Sequence, residues 1–422
     1  MSVRRLLVTA ALLIATAGAR AAPAAAVGTD PTTIPWAGAW ATAMVAANTE
    51  DIFGIPDWSQ EGFANHSVRQ VLRVSRGGSA VRIRLSNRFG TTPLRLSGAS
   101  IGQAGTGASV RPGSLRPLRF GGSAATVVPV GEEAVSDPAP LVVAPLERLT
   151  VTLYFARPTG PATYHTFATA TTYRATGDHR FDPGAAAFGE TSLAWYYLTG
   201  VDVAGGTVDR REAVVAFGDS ITDGPSSTLD ADNRYPDELA ERLVAAGRPM
   251  GVLNTGIASN RVLTDSPCFG ERATARFQRD VLDRPQVHSV IVLEGINDIG
   301  ASEAGFGTCF LPNPQITADE LIDGYRALIR AAHAHGITAI GATLTPIKGS
   351  FFDTERAEAV RDAVNHWIRT GGEYDAVVDF DRALADPADP DRLRAAYDSG
   401  DGLHPNDAGM HAMAAAIDLH TL

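Results

Sequence analysis

The spacing of apolar residues changes near residue 212, and no single packed layer accommodates both spacings. Before that point the period is two: Val81, Ile83 and Leu85 alternate with Arg82 and Arg84, and Leu149, Val151, Leu153 and Phe155 repeat the pattern. Gly77-Gly78, Pro112-Gly113, Gly121-Gly122 and Pro158-Thr159-Gly160 punctuate these runs, as residues that end strands do. Residues 36–200 therefore read as an antiparallel β-sandwich. Gly200 to Arg211 is a connector of small and charged residues.

After Glu212, short apolar runs alternate with helical stretches. Ala213–Phe217, Val252–Asn254, Val290–Leu293, Thr338–Ala342 and Ala376–Val378 have the length and content of buried parallel strands. Tyr235–Ala246, Ala318–His335 and Glu355–Thr370 read as amphipathic helices, and Pro405 opens a last one that runs through Ala416. Such alternation predicts a doubly wound parallel sheet over 212–422, with any chemistry beyond the carboxyl ends of its strands.

Four segments fall at those ends. Gly218-Asp219-Ser220-Ile221-Thr222-Asp223-Gly224 follows the first strand, and Asn254-Thr255-Gly256-Ile257 the second, with Asn260-Arg261 close behind. Gly295-Ile296-Asn297-Asp298 follows the third, and Asp401-Gly402-Leu403-His404-Pro405-Asn406 comes after the last. Each alone is weak. Ser and Asp cap helices, a lone Gly makes a turn, and an Asp three residues before a His is usually a solvated loop. Together they supply what acyl transfer needs: a nucleophile, a base, an orienting carboxylate and donors for an oxyanion. Ser220 fits the nucleophile, His404 the base, and Asp401 the residue that holds the imidazole. The backbone N–H groups of Ser220 and Gly256 and the side-chain amide of Asn297 fit the oxyanion hole.

These blocks resemble the SGNH hydrolases, also called GDSL esterases and lipases, whose name is spelled here by Ser220, Gly256, Asn297 and His404. The resemblance spans about Glu212 to Leu419. Ile221 stands where the family name has Leu, and Glu294 precedes Gly295. It implies an α/β fold, a flavodoxin-like three-layer α/β/α sandwich, and a Ser–His–Asp mechanism with no metal and no cofactor. Val292-Leu293-Glu294-Gly295-Ile296-Asn297-Asp298-Ile299-Gly300, with the β-rich front half, is similar to a xylan-esterase-like branch. That likeness suggests acetylated plant polysaccharide as a substrate. The alternatives are a lipase or phospholipase, and a binding protein with an inactive hydrolase half.

The chain begins like an export signal. Arg4 and Arg5 precede the apolar run Leu6–Ala17, and Ala19-Arg20-Ala21 offers a cleavage site. Cleavage after Ala21 removes three arginines and no acid, so the formal charge moves from -11 to -14. An acidic surface argues against nucleic acid or an anionic membrane as the main partner. The expected partner is a small ester or acetylated carbohydrate, with the protein secreted or periplasmic, not inserted in a membrane, and its β-domain packed on the catalytic one. Cys268 and Cys309 are the only cysteines. In an exported protein such a pair suggests a disulfide between the loops that leave the Gly256 and Asn297 segments. The alternative is two buried free thiols.

Of the remaining histidines, His333, His335, His366 and His411 lie on expected helices without ligand-spaced acidic partners. The run Asp386-Pro387-Ala388-Asp389-Pro390-Asp391 lacks the spacing of a calcium loop. Trp36, Trp40, Tyr154, Tyr164, Tyr173, Trp195 and Tyr196 could form a sugar-stacking platform, although aromatic residues in a sandwich more often fill its core.

Overall fold

The computed structural model describes residues 35–48, 57–205, 213–304 and 307–422. The export signal expected over residues 1–21 lies outside the described residues.

The front half is built from antiparallel sheets. A six-stranded sheet is centred on His66–Arg73 and Arg148–Phe155, paired in register from Arg73 opposite Arg148 to His66 opposite Phe155. A five-stranded sheet carries Trp36–Ala41, Leu198–Ala204 and Gly78–Ser86. The period-two residues meet between them: Val81, Ile83, Leu85, Leu149, Val151, Leu153 and Phe155 are all buried in one cluster. Trp40, Tyr164, Trp195 and Tyr196 are buried there too. These four aromatics are core, which removes them from the surface a stacking platform would need.

The second half is a five-stranded parallel sheet. Its strands, in chain order, are Ala213–Gly218, Gly251–Asn254, Val287–Leu293, Thr338–Ala342 and Ala376–Val378. Their spatial order is 2-1-3-4-5, the flavodoxin-like arrangement with a switch point between the first and third strands. Helices cover the sheet because parallel strands need crossovers. Helix Ala318–Ala334 starts from a capping box in which Thr317 and Glu320 satisfy each other's backbone N–H groups. The last helix runs Asp407–Ala416 with Asn406 as its cap, two residues later than Pro405 suggests. Asp386 and Asp389 close a small hairpin, with Asp386 opposite Asp389.

The two sets of sheets pack directly on each other. Gly38 lies against Leu253 so closely that a first side-chain carbon at residue 38 would sit 2.9 Å from it. Gly251–Asn254 is an edge of the parallel sheet, and its Val252 N–H donates to Ser75 Oγ of the front half at 2.8 Å. Arg73 and Arg148 reach Asp232, and Arg73 also reaches Glu241. Among the described residues no helix is long and apolar enough to cross a membrane.

Candidate active site

The first parallel strand ends at Gly218, and Asp219 caps the short helix Ser220–Asp223 by accepting the Ile221 N–H at 2.9 Å. This turn lifts Ser220 to the top of the sheet beside the switch point. Ser220 Oγ lies 2.8 Å from His404 Nε2. His404 Nδ1 lies 2.6 Å from Asp401 Oδ2, while Asp401 Oδ1 accepts the N–H groups of Leu403 and His404 at 2.9 and 2.8 Å. Partial burial opposes ionisation of Asp401, but the His404 hydrogen bond and these two N–H groups hold its carboxyl well below the usual range. The result is an unbroken hydroxyl–imidazole–carboxylate chain. With Asp401 accepting at Nδ1, Nε2 is left as the acceptor for the serine proton.

The two loops opposite complete the crevice. Asn297 begins the helix Ile296–Ala304 after the third strand. Its Nδ2 donates to Asn260 O at 2.9 Å, which uses one of the two amide hydrogens and leaves the other. Asp298 Oδ2 and Oδ1 accept the N–H groups of Val262 and Leu263 at 2.7 and 3.0 Å, pinning the loop after Gly256 to the same helix. Gly256 packs on the nucleophile's helix, and a first side-chain carbon there would lie 2.4 Å from the Asp223 nitrogen. Its N–H donates to Asn254 Oδ1 at 2.9 Å. The Ser220 N–H is at the first helical position, where no intrahelical acceptor exists.

Beneath the crevice lies a charged cluster that the sequence did not announce. Arg276, fully buried on the short helix Ala273–Phe277, donates to Asn260 Oδ1 at 2.8 Å, Thr255 O at 2.7 Å and Gly218 O at 2.9 Å. It therefore binds the residue before Gly256, the end of the first strand, and the residue that accepts from Asn297. Glu294 and Asp280 pair with it at 3.4 and 3.3 Å. Burial pushes Asp219 up to about 7 and Asp298 up to about 6, against the backbone N–H groups that each accepts. Burial, reinforced by the Asp219 charge, pushes Glu294 well above its ordinary value. A lone Arg on a five-residue helix carries no sequence pattern, so only the folded chain reveals its role.

The cysteines are joined. Cys268 and Cys309 form a disulfide across a sequence separation of 41, with Cα atoms 5.2 Å apart. Phe269, Ala301 and Phe310 pack around it. The same loops are also held by Ser266 Oγ donating to Cys309 O and by Arg261 donating to Phe310 O and Pro312 O. Of the histidines on helices, His333 pairs with Asp375 and His411 with Glu238, both on exposed surface. Glu358, Asp362 and Asp391 are the one acidic group close enough to hold a cation among the described residues, and Arg361 stands among them.

Residues 216–412 match the GDSL-like Lipase/Acylhydrolase family. This half of the chain belongs to that family. As an SGNH hydrolase domain it is a carboxylic ester hydrolase. A GDSL-like lipase from Bacteroides thetaiotaomicron is 19% identical, with 50% of this chain and 88% of that chain covered and a TM-score of 0.35. A variant acetyl xylan esterase from Geobacillus stearothermophilus is 22% identical, with 49% and 93% covered and a TM-score of 0.38. An alpha/beta hydrolase from the metagenome of Lake Arreo is 24% identical, with 49% and 93% covered and a TM-score of 0.37. A search of curated proteins finds no match.

Proposed function

We propose that this is an exported serine esterase that cleaves short-chain or acetyl esters through an acyl-enzyme, with residues 36–200 as a β-sandwich domain and 212–422 as the catalytic domain. The observation that carries the reading is the chain from Ser220 Oγ through His404 to Asp401, at 2.8 and 2.6 Å. Ser220 Oγ attacks the ester carbonyl carbon as His404 Nε2 takes its proton. The carbonyl π electrons move to oxygen, and the Ser220 N–H and the spare Asn297 hydrogen face the oxyanion. Gly256 N–H joins them once it turns from Asn254 Oδ1. The intermediate collapses, the bond to the alcohol oxygen breaks, and the alcohol leaves with the proton from His404. Water, deprotonated by the same imidazole, then frees the acid and restores Ser220.

The Ala19-Arg20-Ala21 site and the Cys268–Cys309 bridge support export. The acidic surface supports a neutral substrate, and the 292–300 block supports an acetylated polysaccharide. The test is Ser220→Ala, assayed with short-chain aryl esters, acetylated xylan and phospholipid. Hydrolysis of the first two should disappear while the circular dichroism spectrum stays unchanged. Activity within about tenfold of wild type would remove Ser220 as nucleophile, and a preference for phospholipid would overturn the substrate class.

A further inference from the structure

His165 belongs to the front half, on the two-residue strand Tyr164–His165, yet its ring enters the catalytic half. It is 3% exposed and stacks on Trp195, ring centroids 5.5 Å apart. Its Nδ1 lies 2.9 Å from Ala43 O. Its Nε2 lies 3.0 Å from Asp223 Oδ1 and 3.1 Å from Phe167 O. A carbonyl oxygen cannot donate, so each ring nitrogen faces an acceptor. The geometry is that of a buried imidazolium with a carboxylate.

Asp223 is the last residue of the nucleophile's own helix, Ser220–Asp223. Its other oxygen, Oδ2, accepts the Ala258 N–H at 3.1 Å. Ala258 lies two residues beyond Gly256, whose backbone presses on Asp223. His165 therefore clamps, through one carboxylate, the helix that presents Ser220 and the loop that presents Gly256. We propose that His165, in its protonated form, is a positioning residue of the esterase, so that the β-rich half completes the oxyanion hole and closes it down when His165 loses its proton.

The ring's surroundings leave Asp223 as the charge that faces it directly. Arg234, capping the next helix, lies 5.6 Å from the Trp195 ring centroid and is occupied by Asp237 at 2.6 Å. Arg284 donates to Thr199 O and to Thr42 O, next to Ala43, and pairs with Asp280 at 3.6 Å. Tyr164, the neighbour in the strand, is buried and pushed up to about 12, so it stays neutral. Burial alone would lower the His165 value; the charge and hydrogen bond of Asp223, with the two carbonyls, outweigh it and raise the value above 6.5. The sign follows: the clamp is complete below the raised value and is lost as pH rises through it.

The inference rests on the Ser220 reading above, and the experiment separates the two. Turnover and KM of the full mature chain are measured across pH with a short-chain aryl ester. Wild type should show an alkaline decline in kcat. Ordinary serine-ester hydrolysis supplies none, because the base stays deprotonated there. His165→Gln should lower kcat by about tenfold or more on the acid side of that decline, leave KM within about twofold, and abolish the decline. Asp223→Asn should move the decline to lower pH, since the facing charge is gone. If either variant fails to fold, 15N-labelled histidine in wild type replaces it: one imidazolium with solvent-protected N–H protons should titrate over the range where kcat falls. No alkaline decline in wild type, an unmoved decline in either variant, or no protected imidazolium overturns the proposal. Retained activity in Ser220→Ala would instead refute the nucleophile assignment and leave the titration result standing.

Discussion

Replacing Arg276 by Met tests whether the buried cluster holds the crevice together. The change keeps much of the side-chain length and removes the guanidinium. Asn260 Oδ1 and Thr255 O, at 2.8 and 2.7 Å, then lose their donor, whereas Gly218 O, at 2.9 Å, keeps the Ile257 N–H at 3.0 Å. Each buried acceptor left unsatisfied costs about 1–3 kcal/mol. The acidic partners soften the loss unequally. Asp280 keeps Arg279 and Arg284 at 3.0 and 3.6 Å, whereas Glu294 loses the one ion-pair partner it has among the described residues and takes a proton, which its raised pKa makes easy. The contact of the guanidinium with the Phe217 face, 4.1 Å away, is replaced by the methionine thioether and is close to neutral. The expected loss is about 3–5 kcal/mol, the range for breaking one side of a buried pair. Urea unfolding followed by tryptophan fluorescence and by far-ultraviolet circular dichroism measures it, and the two probes show whether the halves unfold together. Arg276→Lys, which reaches fewer acceptors, should recover less than half of the loss. A destabilisation below about 1 kcal/mol for Arg276→Met would refute the accounting.

Three further outcomes follow. Asn297→Ala should lower kcat by about 100-fold or more with a smaller change in KM, as loss of an oxyanion donor does; a rise in KM alone would make Asn297 a turn residue. Glu294 binds its proton more tightly in the folded chain than in the unfolded one, so it favours folding at low pH and its contribution is lost as pH rises above its ordinary value near 4.5. Glu294→Gln should therefore flatten the fall in urea stability between pH 5 and 8, and an unchanged slope would contradict that sign. Breaking the Cys268–Cys309 bond should lower stability by about 3–4 kcal/mol and reduce turnover before unfolding; unchanged kcat with the bond shown broken would mean that Ser266 and Arg261 suffice to hold the loops.

The sheets were legible because burial imposes a period. Val81, Ile83 and Leu85 had to face one way, and Ala213–Phe217 had to be covered on both faces. Ser220, Gly256, Asn297, Asp401 and His404 could be singled out as candidates because their order along the chain matches the order of strand ends, and the fold brings Ser220, His404 and Asp401 into one hydrogen-bonded chain. The start of the last helix was misplaced by two residues because Pro405 opens many helices, yet here Asn406 caps it through the Gly409 N–H. The supporting residues were not legible. His165 and Arg276 owe their roles to partners 58 residues away in sequence, Asp223 and Gly218 respectively, and such separations leave no local pattern.

The bond from Val252 N–H to Ser75 Oγ bears on how this enzyme can be shortened. Gly251–Asn254 is the terminal strand of its sheet, and the rim of any sheet is a template for a passing chain. In the intact molecule Trp36–Ala41 and Ser75 occupy that rim. A fragment starting near residue 213 would keep Ser220, Asn297, Asp401 and His404, yet it would bare the rim and the apolar face of Leu253 together. Such a fragment is expected to aggregate, and a shortened enzyme that keeps the front half should stay in solution where the fragment does not.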